Sequence, residues 1–130
     1  MSMDIRTHQT ISRTLCGVPR EVADGYSRVG LITTGEMTVD DRGLVHGGFI
    51  FGLADHAAMI AVNDPHVVLA SSGVKFLKPV RAGEEVEAEA VVQNPGEKRQ
   101  SVSVTVRRGE TTVMTGEFLS VVLDGHVLDL

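Results

Sequence analysis

Between Phe49 and Val62 the chain is apolar on nearly every face that a helix would present. The residues are Phe49, Ile50, Phe51, Leu53, Ala54, Ala57, Ala58, Met59, Ile60, Ala61 and Val62. A helix that is apolar all round belongs inside a protein or a membrane. At about 15 residues, and carrying Asp55 and His56, this one is too short and too polar to span a bilayer. It is expected to be a buried central helix over 48–62. Asn63-Asp64-Pro65 ends it, because proline cannot continue a helix.

Such a helix needs a wide partner, and the remaining sequence reads mostly as strands. Residues 26–39 form one expected strand, followed by a polar turn over 40–45. After the helix come Val67 to Val80, Glu84 to Gln93, Arg99 to Arg107 and Thr112 to Leu123. Alternation is clearest where Val86, Ala88, Ala90 and Val92 interleave with Glu85, Glu87 and Glu89. Val102, Val104 and Val106 alternate with Ser101, Ser103 and Thr105 in the same way. Asn94-Pro95-Gly96 and Arg108-Gly109-Glu110 read as hairpin turns, and strands joined so tightly must be antiparallel. A short helix is expected over 4–17, with Asp4 as N-cap, Ile5, Ile11 and Leu15 on one side, and Gly17 and Pro19 at its end. The expectation is an α+β domain over residues 1–130, an antiparallel sheet wrapped around one long central helix, with a short N-terminal extension over 1–25.

Composition narrows the function. A net charge of -5 argues against nucleic acid as the main partner. Met1 to His8 has no apolar run of the secretory kind, and no segment suits a membrane span. The single Cys16 cannot form an intrachain disulfide, which fits a reducing cytoplasm. It reads as a buried apolar residue with no base close to it in sequence. Five scattered histidines make no zinc-like cluster, and Gly47-Gly48 lacks the spacing of a phosphate loop.

The chemistry is concentrated around the helix. His46-Gly47-Gly48 precedes it, and helix N-termini present unpaired N–H groups that favour negative charge. Glycine there lets a ligand approach the backbone closely. Asp55 follows the histidine by nine residues, roughly 13 Å along the axis. A carboxylate among apolar neighbours must be hydrogen-bonded, protonated or functional. His56 points away from Asp55's face and reads as a core or interface histidine.

The run Gly43-Leu44-Val45-His46-Gly47-Gly48, with Asp55 after six further residues, resembles the phenylacetyl-CoA thioesterase-like branch of the hotdog-fold acyl-CoA thioesterases. Phe76 to Glu84, with Pro79 and Gly83, is similar to a second segment of that family. The resemblance covers roughly residues 26–123. It implies that Asp55 is general base or nucleophile, that the Gly47 N–H polarises the thioester carbonyl, and that His46 orients substrate or shapes the turn. Gly48 would line the same turn. Asp40 stands where the family usually carries a polar residue, often asparagine. Leu69 stands where it often carries Ser or Thr, with Ser71 and Ser72 close by. The resemblance also implies a homodimer or homotetramer with active sites at the dimer interface. No cofactor is implied, since coenzyme A is part of the substrate. Its phosphates call for cations, and Lys75, Lys78 and Arg81 are the expected contacts. Two other readings remain open. An enoyl-thioester hydratase would use Asp41 and His46. A non-catalytic acyl-CoA sensor would bind without turnover, although the N-terminal extension is too short for a helix-turn-helix.

Overall fold

In the computed structural model, which describes residues 2–130, one long helix lies in the curl of a six-stranded antiparallel sheet. The strands are β1 (Val18–Ala23), β2 (Tyr26–Ile32), β3 (Val67–Phe76), β4 (Glu85–Val92), β5 (Arg99–Arg108) and β6 (Thr111–Val122). Their order across the sheet is β1-β2-β4-β5-β6-β3. A short helix α1 (Arg13–Cys16) precedes β1, and the central helix α2 (Gly47–Val62) crosses from β2 to β3.

The alternation read from the sequence sets which face is inward. Val86, Ala88, Ala90 and Val92 of β4 are buried, as are Val102, Val104 and Val106 of β5. Against them α2 presents Leu53, Ala54, Ala57, Ala58 and Ala61, none more than 2% exposed. Small residues on both sides let the helix lie close to the sheet. Asn63 caps α2 in the left-handed conformation, with φ 54°, and its N–H donates to the Met59 carbonyl at 2.8 Å.

Four expectations need correction. The helix over 4–17 shrinks to Arg13–Cys16, and Ser12 rather than Asp4 is its N-cap. Met3, Asp4 and Arg6, further ahead of it, are held by tertiary bonds. The Asn63 side chain accepts from the Arg6 N–H and donates to the Asp4 carbonyl, both at 2.8 Å. The Met3 N–H donates to the Val22 carbonyl at 2.7 Å. Second, β1 was not expected, because Pro19-Arg20-Glu21 breaks any alternation; pairing with β2 makes it a strand. Third, the strand over 26–39 stops at Ile32, and Gly35–Met37 is a 3-10 turn. There the Glu84 carbonyl accepts from both the Thr33 N–H, at 3.0 Å, and the Thr33 hydroxyl, at 2.7 Å. The run to Val80 similarly ends at Phe76, before Pro79.

The two sheet edges differ. β1 carries Pro19 and a register shift between Pro19 and Glu21, both of which blunt an edge. β3 runs ten residues without proline, and Ala70, Ser71, Ser72 and Gly73 are exposed on both faces.

Candidate active site

The turn before α2 is fixed by backbone bonds from three directions. The His46 N–H donates to the Met37 carbonyl, Val45 to Val80 and Val39 to Leu44, each at 2.9 Å. His46 is the N-cap residue, yet its side chain makes no capping bond. Among the described residues neither the Gly47 nor the Gly48 N–H has an acceptor. Two amide donors therefore stand open at the positive end of the helix. The exposed His46 ring lies over Gly48, where a Cβ would meet it at 2.9 Å, and packs edge-on to Phe49.

Gly47 opens onto a cleft of about 390 Å³ that it shares with Ile50, Phe76, Leu77, Lys78 and Val113. Phe76 and Leu77 are 55% and 48% exposed, a large apolar surface beside uncapped amides. A Cβ on Gly47 would sit 3.2 Å from the Phe76 ring. Arg81 and Asp40 line a second cleft, also about 390 Å³, with Arg42 and Arg108. There Asp40 Oδ1 holds the 40–45 turn by accepting from the Arg42 and Leu44 N–H groups at 3.0 and 3.2 Å. Lys75 is exposed on β3, as are Ser71 and Ser72, which the bulge after Leu69 leaves both uncovered.

Asp55 lies on the part of α2 that the sheet does not cover. Phe51, Gly52 and Asp55 share this half-buried stripe. Asp55 Oδ1 is buried without a hydrogen-bond partner, and burial pushes its carboxyl above the ordinary value. Cys16 flanks it: a Cβ on Gly52 would lie 4.0 Å from the Cys16 sulfur. Burial, then the Asp55 charge, push the thiol up, so it stays protonated and is a poor nucleophile. Cys16, Phe76, Leu77 and Arg108 are neighbours that sequence order hides, because each reaches its site from a distant segment. The hydratase pair does not form: no hydrogen bond or ion pair joins exposed Asp41 to His46 among the described residues. No group of three His, Cys, Asp or Glu side chains suited to a metal occurs among them.

One long helix in a curled antiparallel sheet, with a glycine turn at its head and a lone carboxylate along it, is the frame of the hotdog thioesterases. The model of the thioesterase superfamily matches residues 42–115, and the chain belongs to that family. A protein from Pyrococcus horikoshii has the same shape, with a TM-score of 0.97, 48% identity and 99% of each chain covered. The phenylacetic acid degradation protein PaaI of Thermus thermophilus, in a mutant form, superimposes with a TM-score of 0.76 at 28% identity, covering 84% of this chain and 95% of that one. Methylthioribose-1-phosphate isomerase of Aquifex aeolicus is 52% identical over 93% of this chain, which spans only 26% of that protein. The chain spans between about a quarter and a half of the first curated relatives it matches. No helix among the described residues is long and apolar enough to cross a membrane.

Proposed function

We propose that this chain hydrolyses acyl-CoA thioesters, with Asp55 as general base or nucleophile and the Gly47 N–H as oxyanion donor. The observation that supports it is the pairing of an unpartnered, half-buried carboxyl with uncapped helix amides in a member of the thioesterase superfamily. Acting as base, Asp55 takes a proton from water while the water oxygen bonds to the thioester carbon. The Gly47 amide, and the helix end behind it, stabilise the oxyanion that forms. The C–S bond then breaks, and the thiolate leaves with a proton. A raised carboxyl pKa suits a base that must also release its proton near neutral pH.

Gly47 and Asp55 of one chain are eight residues apart on α2, about 12 Å along the axis. That is too far for both to address one carbonyl, since each must come within roughly 3 Å of its target. A second copy related by a two-fold axis removes the difficulty, because an antiparallel neighbour brings Asp55 of the partner subunit towards Gly47. The unblunted edge of β3 offers the continuous pairing such a dimer needs. Phe76 and Leu77 supply apolar surface for the acyl chain, while Lys78, Arg81, Arg42 and Arg108 lie within reach of the coenzyme A phosphates. The test is hydrolysis of a panel of short, long and aromatic acyl-CoAs, followed by free thiol. Turnover of at least one member that Asp55→Asn abolishes is expected. Tight binding of acyl-CoA with no turnover across the panel would make the protein a sensor instead.

A further inference from the structure

Gly52 lies past the first turn of α2, and the fold of one chain does not explain why it is glycine. In a helix interior glycine is the least favoured residue after proline. The backbone there has no positive φ that would call for it. Crowding does not call for it either. A Cβ on Gly52 would meet the Cys16 sulfur at 4.0 Å, an ordinary van der Waals contact, and nothing closer from outside its own helix. Gly47 and Gly48 differ, because a Cβ on them would press on the Phe76 and His46 rings at 3.2 and 2.9 Å. Alanine would therefore fit at Gly52 and strengthen the helix. What glycine provides is an open space.

That space adjoins Asp55. Gly52 stands one helical turn before it on the same half-buried stripe, about 4.5 Å along the axis. The rest of the helix surface around Asp55 is closed: Ala54 and Ala58 are 0% exposed, and His56 and Met59 are 1% exposed. Phe51 and Gly52 stay half-open next to the carboxyl, with Cys16 at their flank. The Phe51 ring is held against Phe118, with centroids 5.4 Å apart. Groups attached to a carbon attacked at Asp55 therefore pass over Phe51 and Gly52. An aromatic ring, bare helix backbone and a thiol suit hydrocarbon, whereas the amides of a pantetheine arm need hydrogen-bond partners. A Cβ on Gly52 would be roughly 5–6 Å from that of Asp55. This is the depth of the second and third carbons of an acyl group whose carbonyl carbon lies at the carboxyl. A straight chain needs one path at that depth, and a branched chain needs two.

We propose that the missing side chain of Gly52 is a specificity determinant, leaving room beside Asp55 for acyl groups branched at their second or third carbon. The assignment rests on the proposed hydrolysis and names the acyl class that its site takes. It holds whether Asp55 serves Gly47 of its own chain or of a second copy, because Gly52 and Asp55 travel on one helix. Gly52 borders the acyl group and not the reacting atoms, so its effect is on selectivity.

The test compares isomers of equal composition: isobutyryl-CoA against butyryl-CoA, and isovaleryl-CoA against pentanoyl-CoA. Steady-state kcat/KM is measured for wild type and Gly52→Ala, with thermal melting and sedimentation in parallel. Wild type should hydrolyse the branched and straight members of each pair with comparable efficiency. Gly52→Ala should melt higher, sediment as wild type does, and lower the branched-to-straight ratio at least about tenfold, the scale of one methyl in an apolar pocket. A glycine with a merely structural role would leave that ratio unmoved. An unchanged ratio, or a wild type that turns over other acyl-CoAs but not the branched pair, would overturn the assignment and leave the hydrolysis standing. A smaller sedimenting species with all rates reduced alike would also overturn it, and would give Gly52 to the close approach of two helices. Wild type that hydrolyses no acyl-CoA would defeat the hydrolysis itself, and this assignment with it.

Discussion

Asp55 concentrates two opposing demands on one side chain. Its Oδ1 has lost water without gaining a donor, so the ionised form costs stability in the fold while the proposed hydrolysis requires it. The folded-state pKa is raised above the ordinary value of 3.8. The penalty is therefore absent below that value and appears as pH rises through the folded pKa. Asp55→Asn should melt higher than wild type at pH 7.5, by roughly 1 kcal/mol, and the difference should shrink toward pH 4. The same variant should lose about 100- to 10,000-fold in turnover. A variant that hydrolyses acyl-CoA near the wild-type rate would remove Asp55 from the chemistry whatever its stability. Gly47 is tested on a different axis. Gly47→Val pushes side-chain atoms toward the Phe76 ring, which is exposed enough to give way, so the fold should persist. Steady-state kinetics should show the loss in kcat, about 100- to 1,000-fold, with KM little changed. A loss confined to KM would make Gly47 a shape element and move the oxyanion to Gly48.

At the scale of elements, the joint between α1 and β1 depends on a single glycine. Gly17 has φ 100°, and a Cβ there would lie 2.8 Å from Leu53 Cδ1 and 2.9 Å from the Gly30 carbonyl oxygen. Neither backbone nor buried core can step aside. Gly17→Ala should cost roughly 2 kcal/mol or more in urea unfolding, and the stress should displace Cys16 from Gly52. The elements that the sequence makes legible are those whose burial is periodic within themselves. α2 shows because its apolar residues surround it, and β4 and β5 show because valine and alanine alternate with glutamate and serine. β1 and the residues before α1 do not show, because their conformation is set by partners far along the chain: Asn63 holds Asp4 and Arg6, and β2 holds Pro19. The candidate site divides the same way. Gly47 and Asp55 stand in one local motif and can be read directly. Cys16 beside Asp55, Phe76 beside Gly47, and His8 over His56 are contacts between distant segments that no spacing announces.

For the whole molecule, two properties follow from how the chain closes on itself. Burial holds both His8 and His56 below the ordinary value of 6.5. The unfolded chain takes up these protons first as pH falls, so their contribution to stability is complete above about 6.5 and is lost below it. Chemical denaturation at pH 8.0, 6.5 and 5.5 should show stability falling chiefly between pH 6.5 and 5.5, and His8→Gln should flatten that fall.

The second property is the unfinished edge. β3 exposes a ten-residue strand with both faces bare over Ala70 to Gly73, beside the half-covered stripe of α2 and the exposed Phe76 and Leu77. A long, unblunted edge next to apolar surface is paired in a stable protein. Pairing β3 with its own copy about a two-fold axis would also bridge the roughly 12 Å between Gly47 and Asp55 in the proposed hydrolysis. A pair centred on the middle of β3 would bring the two copies of Ser71 and Ser72 together, so Ser71→Lys with Ser72→Lys would set like charges across the axis without touching the core. Wild type should sediment as a dimer or larger at low micromolar concentration. The double variant should sediment as a folded monomer with unchanged far-UV circular dichroism, and its acyl-CoA turnover should fall at least about 100-fold, the scale set by a missing oxyanion donor or base. A folded monomer that keeps full turnover would show that one chain completes the site alone, and that the path from Gly47 to Asp55 is bridged by the substrate rather than by a second subunit.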